Sequence, residues 1–333
     1  MGLRKGGADV VVHEAGDYPR HKVCGEFISG VADGVLRKLG VLDAFDGALR
    51  PATLHWRHRD KGVFDGRLPT PARAISRHRL DERLAAMLVD AGGDLRTRER
   101  VAVAGGDGWV WAAGRPKRAD GGRIGLKAHI RGPRPRAELE MHAGPSGYAG
   151  MVEVEDGWLN VCGIFHANRE LRATREGRGG GAGSNEPKPA VLLAAYLDAG
   201  GCHELAGMIR GAEIRAGSAC AVAGFAPGRQ PSEARGIRIG DAERMIPPFT
   251  GNGMSMAFES AACALDPLLA WARGHISWAA AGNATRAALS RQFRTRMAVA
   301  GMLEPSVMRD ASANALAFLP PAAFTRTVLP LLR

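Results

Sequence analysis

The chain has 333 residues, 45% of them hydrophobic, with a net charge of +11 and five cysteines. That apolar share is enough to bury one large core or two, which excludes a disordered or fibrous chain. No run of about 18 uncharged apolar residues occurs, and Cys24, Cys162, Cys202, Cys220 and Cys263 form no Cys-x-x-Cys pair, so neither a membrane span, a disulfide framework nor a zinc site is indicated.

The positive balance would suit nucleic acid or an anionic surface. The arginines, however, are spread through every segment, and no aromatic-interleaved RNA motif or zinc finger directs them. No nucleic-acid partner is expected; a positive cleft for an anionic small molecule is the milder use. The first residues, Met1-Gly2-Leu3-Arg4-Lys5-Gly6-Gly7, carry charge without an apolar stretch, so the expected location is cytoplasmic.

In chain order, residues 9–14 read as a short β-branched strand that delivers Glu14 at its end. Next comes Asp17-Tyr18-Pro19-Arg20-His21-Lys22-Val23-Cys24-Gly25-Glu26-Phe27-Ile28-Ser29. Residues 31–39 read as a helix stopped by Gly40. Residues 53–58 and 62–65 read as two strands around Asp60-Lys61-Gly62; His55 and His58 there have no third ligand nearby, so no metal site is expected. A helix runs from Arg77 to about residue 91, Gly92-Gly93 end it, and 94–97 return as a strand. Residues 101–118 should hold a β-meander but look cut short, with Trp109, Trp111 and Ala113 crowded together.

Alternation then predicts antiparallel strands at 126–130, 137–142, 147–154 and 158–163, packed on one face. The glycine-rich stretch 175–189 reads as loop, 190–197 and 203–209 as short helices. Ile237-Arg238-Ile239 is a buried strand that presents Asp241 at its C-terminal end, the edge where α/β sheets bind ligands. Pro247-Pro248 cannot continue a helix or a ladder, so the chain crosses in extended form to Gly251-Asn252-Gly253. A helix follows from Met254 to about residue 270, its apolar stripe running through Phe258, Ala261, Leu265 and Leu268, with Pro267 expected to kink the last turn. Two glycines at a helix start leave bare N–H groups and the positive dipole end facing outward, a setting suited to an anion such as a reduced flavin ring. A basic helix over 277–299 and short apolar helices close the chain; peripheral membrane contact through this part is one use of their charge.

The Gly240-Asp241, Pro248 and Gly251-Asn252-Gly253 pattern with its alanine-rich helix resembles the second FAD fingerprint of the flavoprotein hydroxylase and geranylgeranyl reductase group. Arg20 to Ser29 and the Arg77-x-x-Leu80-Asp81 spacing are similar to the same group. The resemblance implies a discontinuous Rossmann-like FAD domain (1–52, 72–118, 235–275), an inserted antiparallel-sheet substrate domain (53–71, 119–234) and a helical C-terminal part (276–333). It also implies roles: Glu14 on the adenosine ribose, Arg20 on phosphates or ribose, Cys24 and Gly25 bordering flavin and substrate with Glu26 in that wall, Arg77 near the cofactor. Asp241 would bond the ribityl chain, and Pro248, Gly251, Asn252 and Gly253 would lie along the flavin pyrimidine edge. No residue is assigned as catalytic, Cys24 being the weak candidate.

In that architecture a Gly-x-Gly-x-x-Gly loop lies about 20 residues before the acidic residue, whereas 13 residues precede Glu14 here. The phosphate loop is thus expected to be missing, either because the start codon was placed too late or because the cradle has been lost. The implied chemistry is FAD-dependent oxidation or ene-reduction of a small apolar or polyketide-like substrate, with NAD(P)H as electron donor. The alternative is a non-catalytic or flavin-poor remnant of the same group.

Overall fold

A computed structural model of the protein describes residues 1–101, 105–115, 122–168, 188–231 and 236–308, with side chains to 304. The first elements are α1 (Gly2–Lys5), β1 (Val11–His13), β2 (Phe27–Ile28) and α2 (Asp33–Leu39). α2 ends because Gly40 takes φ 70°, a left-handed conformation that opens the last turn at little steric cost. β3 (Thr53–His58), β4 (Lys61–Arg67) and β5 (Arg73–Ala74) lead to α3 (Arg77–Asp90), β6 (Asp94–Arg96) and β7 (Val110–Trp111). Ser76 starts α3: its Oγ accepts the Arg79 N–H at 3.0 Å, satisfying one of the amides a helix start leaves free.

Four long strands follow: β8 (Arg123–Arg131), β9 (Leu139–Gly144), β10 (Gly147–Glu153) and β11 (Leu159–His166). The remainder is α4 (Lys188–Ala199), α5 (His203–Arg210), the short strands β12 (Glu213–Ile214), β13 (Cys220–Ala223), β14 (Gly228–Arg229), β15 (Ile237–Arg238) and β16 (Arg244–Met245), then α6 (Gly253–Ala272) and α7 (Trp278–Met308). α6 runs on through Pro267 to Ala272. Most of the glycine stretch at 175–189 and everything beyond 308 lie outside the described residues.

The large sheet has the order β12-β8-β11-β10-β9-β3-β4, with β13 also paired to β8. It differs from the expected antiparallel sheet at one seam: β3 runs parallel to β9, with Leu54 opposite Leu139. The β3–β4 hairpin comes from a much earlier part of the chain, and such a long crossover is what a parallel pairing needs. One sheet face carries Leu126, Ala128, Ile130, Met151, Val161 and Phe165 and packs under Leu193, Tyr196 and Leu197 of α4 and Leu205 of α5. Burying each of these larger side chains contributes roughly 1.5–3 kcal/mol. The opposite face looks toward the flank that carries α2, α3 and α6, whose own core gathers Leu36, Leu39, Leu80, Phe45 and Leu265.

Two short parallel pairs complete that flank. β1 lies on β6 with Val12 opposite Leu95, and β15 lies on β7 with Ile237 opposite Val110. The crowded tryptophans sit beside these pairs: Trp109 stacks on His13 at 5.8 Å and on Trp111 at 6.3 Å.

Candidate functional site

Residues alternate across a strand and paired neighbours share a face, so the inner face of the large sheet can be read row by row. One row runs Cys220, Lys127, Cys162, Gly150, Met141, Trp56 across six strands. Its β8 end is polar and the rest is apolar. That division decides how the sheet meets the loop carrying Cys24, Gly25 and Glu26.

At the polar end, Glu26 is held from three sides. Its Oε1 accepts from Lys127 Nζ at 2.5 Å and from the Arg77 backbone N–H at 2.8 Å, and its Oε2 lies 2.6 Å from His129 Nε2. Asn160 Nδ2 donates to the carbonyls of Cys24 at 3.1 Å and Gly25 at 2.8 Å. Glu26 adopts φ 53°, a left-handed conformation costing roughly 1–2 kcal/mol, which the carboxylate clamp offsets. Burial works against its charge, yet Lys127 and His129 outweigh it and hold the carboxyl below the usual range. The structure therefore encloses Glu26 completely; the cavity wall expected for it is formed by its neighbours. His21, Glu26 and His129 each offer an atom within 4.8 Å of the others. A cation placed among them would meet the Lys127 ammonium, already bonded to the same carboxylate. Burial, followed by the positive charge of Lys127, pushes His21 down to about 3.

The apolar end faces the turn before α6. Pro248–Thr250 form one 3₁₀ turn and Gly251 follows at φ 66°. A Cβ on Gly251 would lie 2.8 Å from Phe27, so the turn can pass the loop only with glycine there. Ser29 Oγ donates to Asn252 Oδ1 at 3.1 Å and ties the turn to that loop. α6 then begins with no side-chain cap, and a Cβ on Gly253 or on Gly25 would meet nothing within 4 Å. Its first amides are free to meet an anion in the open space.

Asp241 belongs to the 3₁₀ turn Gly240–Ala242, which the Ser260 hydroxyl of α6 fastens by accepting the Gly240 N–H at 2.8 Å. Among the described residues its carboxylate has no hydrogen-bond or ion-pair partner. Burial raises its pKa to about 6, while the nearby Arg77 and Arg115 guanidiniums pull the other way. Arg77 is itself anchored to Asp81, Nε at 2.7 Å and Nη2 at 2.8 Å, and Lys22 Nζ holds the same carboxylate at 2.8 Å. Asp241, Arg77, Gly25 and the α6 start thus share one neighbourhood, and a ring with a polar edge and a hydroxylated chain suits its donors and acceptors.

Between the sheet and that turn lies an open cavity of about 1040 Å³, a volume that includes the solvent at its mouth. Leu54, Trp56, Leu139, Met141, Val152 and Ile164 line it from the sheet; Cys24, Gly25, Pro248, Gly251 and Asn252 line it from the opposite side. Gly150 opens it further, since a Cβ there would come to 3.3 Å from Met141 Sδ. Burial pushes the Cys24 thiol up, which disfavours the thiolate a nucleophile needs. The inner sheet face contributes most of the apolar wall; alternation marked its strands but not which of their side chains would line a cavity.

Glu14 and Arg20 face each other, and Lys22, within electrostatic range of both, connects them to Asp81 and Arg77. Glu14 Oε1 accepts from Arg20 Nη2 and from the Gly16 N–H, both at 2.8 Å, and its Oε2 accepts from the Tyr18 hydroxyl at 3.1 Å. Burial opposes its charge, and the Gly16 amide with Arg20 overcomes that and holds the carboxyl low. These two residues meet as an internal ion pair at the end of β1.

No family model matches the sequence, and no curated protein matches it. Solved structures do match. Over 99% of this chain and 94% of that one it superposes on p-nitrophenol 4-monooxygenase from Pseudomonas putida, with a TM-score of 0.73 at 13% identity. For a flavin-dependent brominase the figures are 99% and 88%, 0.71 and 18%. For a probable FAD-dependent monooxygenase from Pseudomonas aeruginosa they are 95% and 94%, 0.68 and 16%. The chain has the FAD-dependent monooxygenase fold. That agrees with the architecture implied by the Gly240-Asp241 and Gly251-Asn252-Gly253 segments: an α/β flank, a large sheet laid against it and a helical C-terminal part. Among the described residues no helix of this fold is long and apolar enough to cross a membrane.

Proposed function

We propose that the chain is an FAD-dependent oxidoreductase of the monooxygenase or ene-reductase type, acting on a small apolar substrate with NAD(P)H as electron donor. The observation that carries this reading is the carboxylate of Asp241, unpartnered among the described residues and in the electrostatic range of Arg77 and Arg115, on a turn whose Gly240 packs on Ala257 and Ser260 of α6, a 20-residue helix with an uncapped glycine start whose preceding turn also walls the cavity. The fold shared with flavin-dependent monooxygenases supports it.

Asp241, Arg77, Gly25 and Gly251–Gly253 would hold the flavin end of the cofactor. FAD bound there supplies hydride acceptance from a nicotinamide and delivery of those electrons to oxygen or to a substrate double bond. The chain's own part is positional. The free α6 amides and Arg77 place positive potential where the flavin pyrimidine edge would gather negative charge, and preorganised charge of this kind needs no reorganisation during reaction. The apolar sheet face excludes water from the reacting space.

The test is a visible spectrum of the purified chain, alone and after addition of FAD, followed by NADH and NADPH oxidation. Flavin bands near one equivalent, weakened in Asp241→Ala, support the reading. A folded protein that stays colourless with added FAD would establish the flavin-poor remnant instead.

A further inference from the structure

The β14–β16 pair sets two arginines against each other. Its register places Arg229 directly opposite Arg244, and like charges so placed, with Cβ atoms about 5 Å apart, repel. Glu243, the residue before Arg244, does not settle the imbalance. Its Oε2 lies 2.9 Å from Arg238 Nη2 and its Oε1 3.5 Å from Arg229 Nε, so two other guanidiniums already share it. Glu259 of α6 is closed in the same way by Arg296 at 2.7 Å. Arg244 is left with no hydrogen-bond or ion-pair partner among the described residues.

A second uncompensated guanidinium comes from α7. Arg286 donates to the Asn283 Oδ1 at 2.5 Å and has no carboxylate partner among the described residues. A Cβ on Gly282 would come to 3.5 Å from Arg286 Nη1 and 3.7 Å from Ile237 Cγ1, so the guanidinium lies back along the helix toward β15. Arg244, Arg286 and Ser290 line one cavity of about 380 Å³, the solvent at its mouth included, over the apolar side chains of Met256, Leu289 and Phe293. Glu243 is the one carboxylate in its described wall. This cavity shares no lining residue with the apolar one before α6.

We infer that Arg244, Arg286 and Ser290 form a binding site for a phosphate group. A phosphate carries about two negative charges, and its several acceptor oxygens can meet two guanidinium forks and a hydroxyl together. It supplies the counter-charge that Glu243, shared by Arg229 and Arg238, does not. Gly240 and Ser260 also line the cavity, and the Ser260 hydroxyl accepts the Gly240 N–H. A phosphate bound there braces the turn that presents Asp241 from a side that the proposed flavin site does not use.

Titration calorimetry and thermal melts of the full chain in chloride buffer test it, with inorganic phosphate, acetate, NADPH and NADH as probes. The wild type is expected to bind phosphate with a dissociation constant of about 1 mM, the sum of two charge-assisted contacts, and acetate about tenfold more weakly. Arg244→Met and Arg286→Met are each expected to weaken phosphate binding about tenfold. Without phosphate, Arg244→Met should melt no lower than wild type, because it removes one of two opposed charges; phosphate should raise the melting temperature of the wild type and not of this variant. A preference for NADPH over NADH of about tenfold that both variants abolish would assign the site to the extra phosphate of the dinucleotide. Equal binding of the two coenzymes beside measurable phosphate binding would assign it to a free phosphate or a simple monoester. No phosphate binding, acetate bound as tightly as phosphate, or phosphate affinity unchanged in both variants would each overturn the inference. Flavin retention, read separately from absorbance, bears on the oxidoreductase reading alone.

Discussion

Glu26→Gln probes the clamp that seats the sheet against the loop before β2. The substitution keeps length and shape, so the left-handed backbone at this position is undisturbed and only the charge is lost. The side chains of Glu26, Lys127 and His129 are all 0% exposed, so the Lys127 ammonium would remain buried with no compensating charge. Removing one member of such a pair costs about 3–5 kcal/mol, a large share of the 5–15 or so that holds a typical protein folded. Urea unfolding of the wild type, Glu26→Gln, Lys127→Met and the double variant measures it. The double variant should regain at least about 2 kcal/mol relative to the sum of the singles, because it leaves neither charge orphaned.

The pH dependence has a definite sign. The folded pKa of Glu26 lies below its ordinary 4.5, so its stabilising contribution is present above 4.5 and fades as pH falls through the lower folded value. The gap between wild type and Glu26→Gln should be widest near neutrality and close in acid. A Glu26→Gln cost below about 1 kcal/mol at neutral pH, or strict additivity in the double variant, would refute the claim that this ion network seats the sheet.

Three further outcomes are expected. Asp241→Asn should stabilise the flavin-free protein above pH 6 by about 2–3 kcal/mol, because the buried carboxyl there titrates near 6 instead of 3.8 and its ionisation opposes folding. The same variant should bind FAD more weakly, and thermal melts from pH 4 to 8 with a flavin titration read both effects. Gly251→Ala, which meets Phe27 at 2.8 Å in a left-handed backbone, should lower stability by about 1–2 kcal/mol and reduce flavin retention. Ser76→Ala should cost about 1–2 kcal/mol in urea unfolding, since it removes both the α3 cap and a hydroxyl that bonds buried Glu155.

Local chemistry made much of this fold legible. The helix over Arg77–Asp90 announces itself by Ser76 before it and a glycine pair after it, and the strands β8 to β11 by alternation. The Gly251-Asn252-Gly253 turn follows from residues whose backbone freedom is written in their type. Other features depend on residues far apart in the chain. The Lys38–Asp266 ion pair at 2.8 Å joins α2 to α6 across more than two hundred residues. Nothing local to Glu26 announces its enclosure, which requires Lys127 and His129 to arrive from a strand about a hundred residues later.

By itself, then, the sequence determined roughly where the longer helices and strands lie, which glycines turn the chain, and that a carboxylate and a bare helix start belong to one segment, since periodicity and backbone preference act over a few residues. Only the tertiary structure decided that the polar end of one sheet face would clamp Glu26, and that the Tyr148 hydroxyl would be buried with no partner among the described residues. Satisfaction of a buried polar atom is settled by whichever strand, turn or helix packs against it, and that neighbour is chosen by the whole fold.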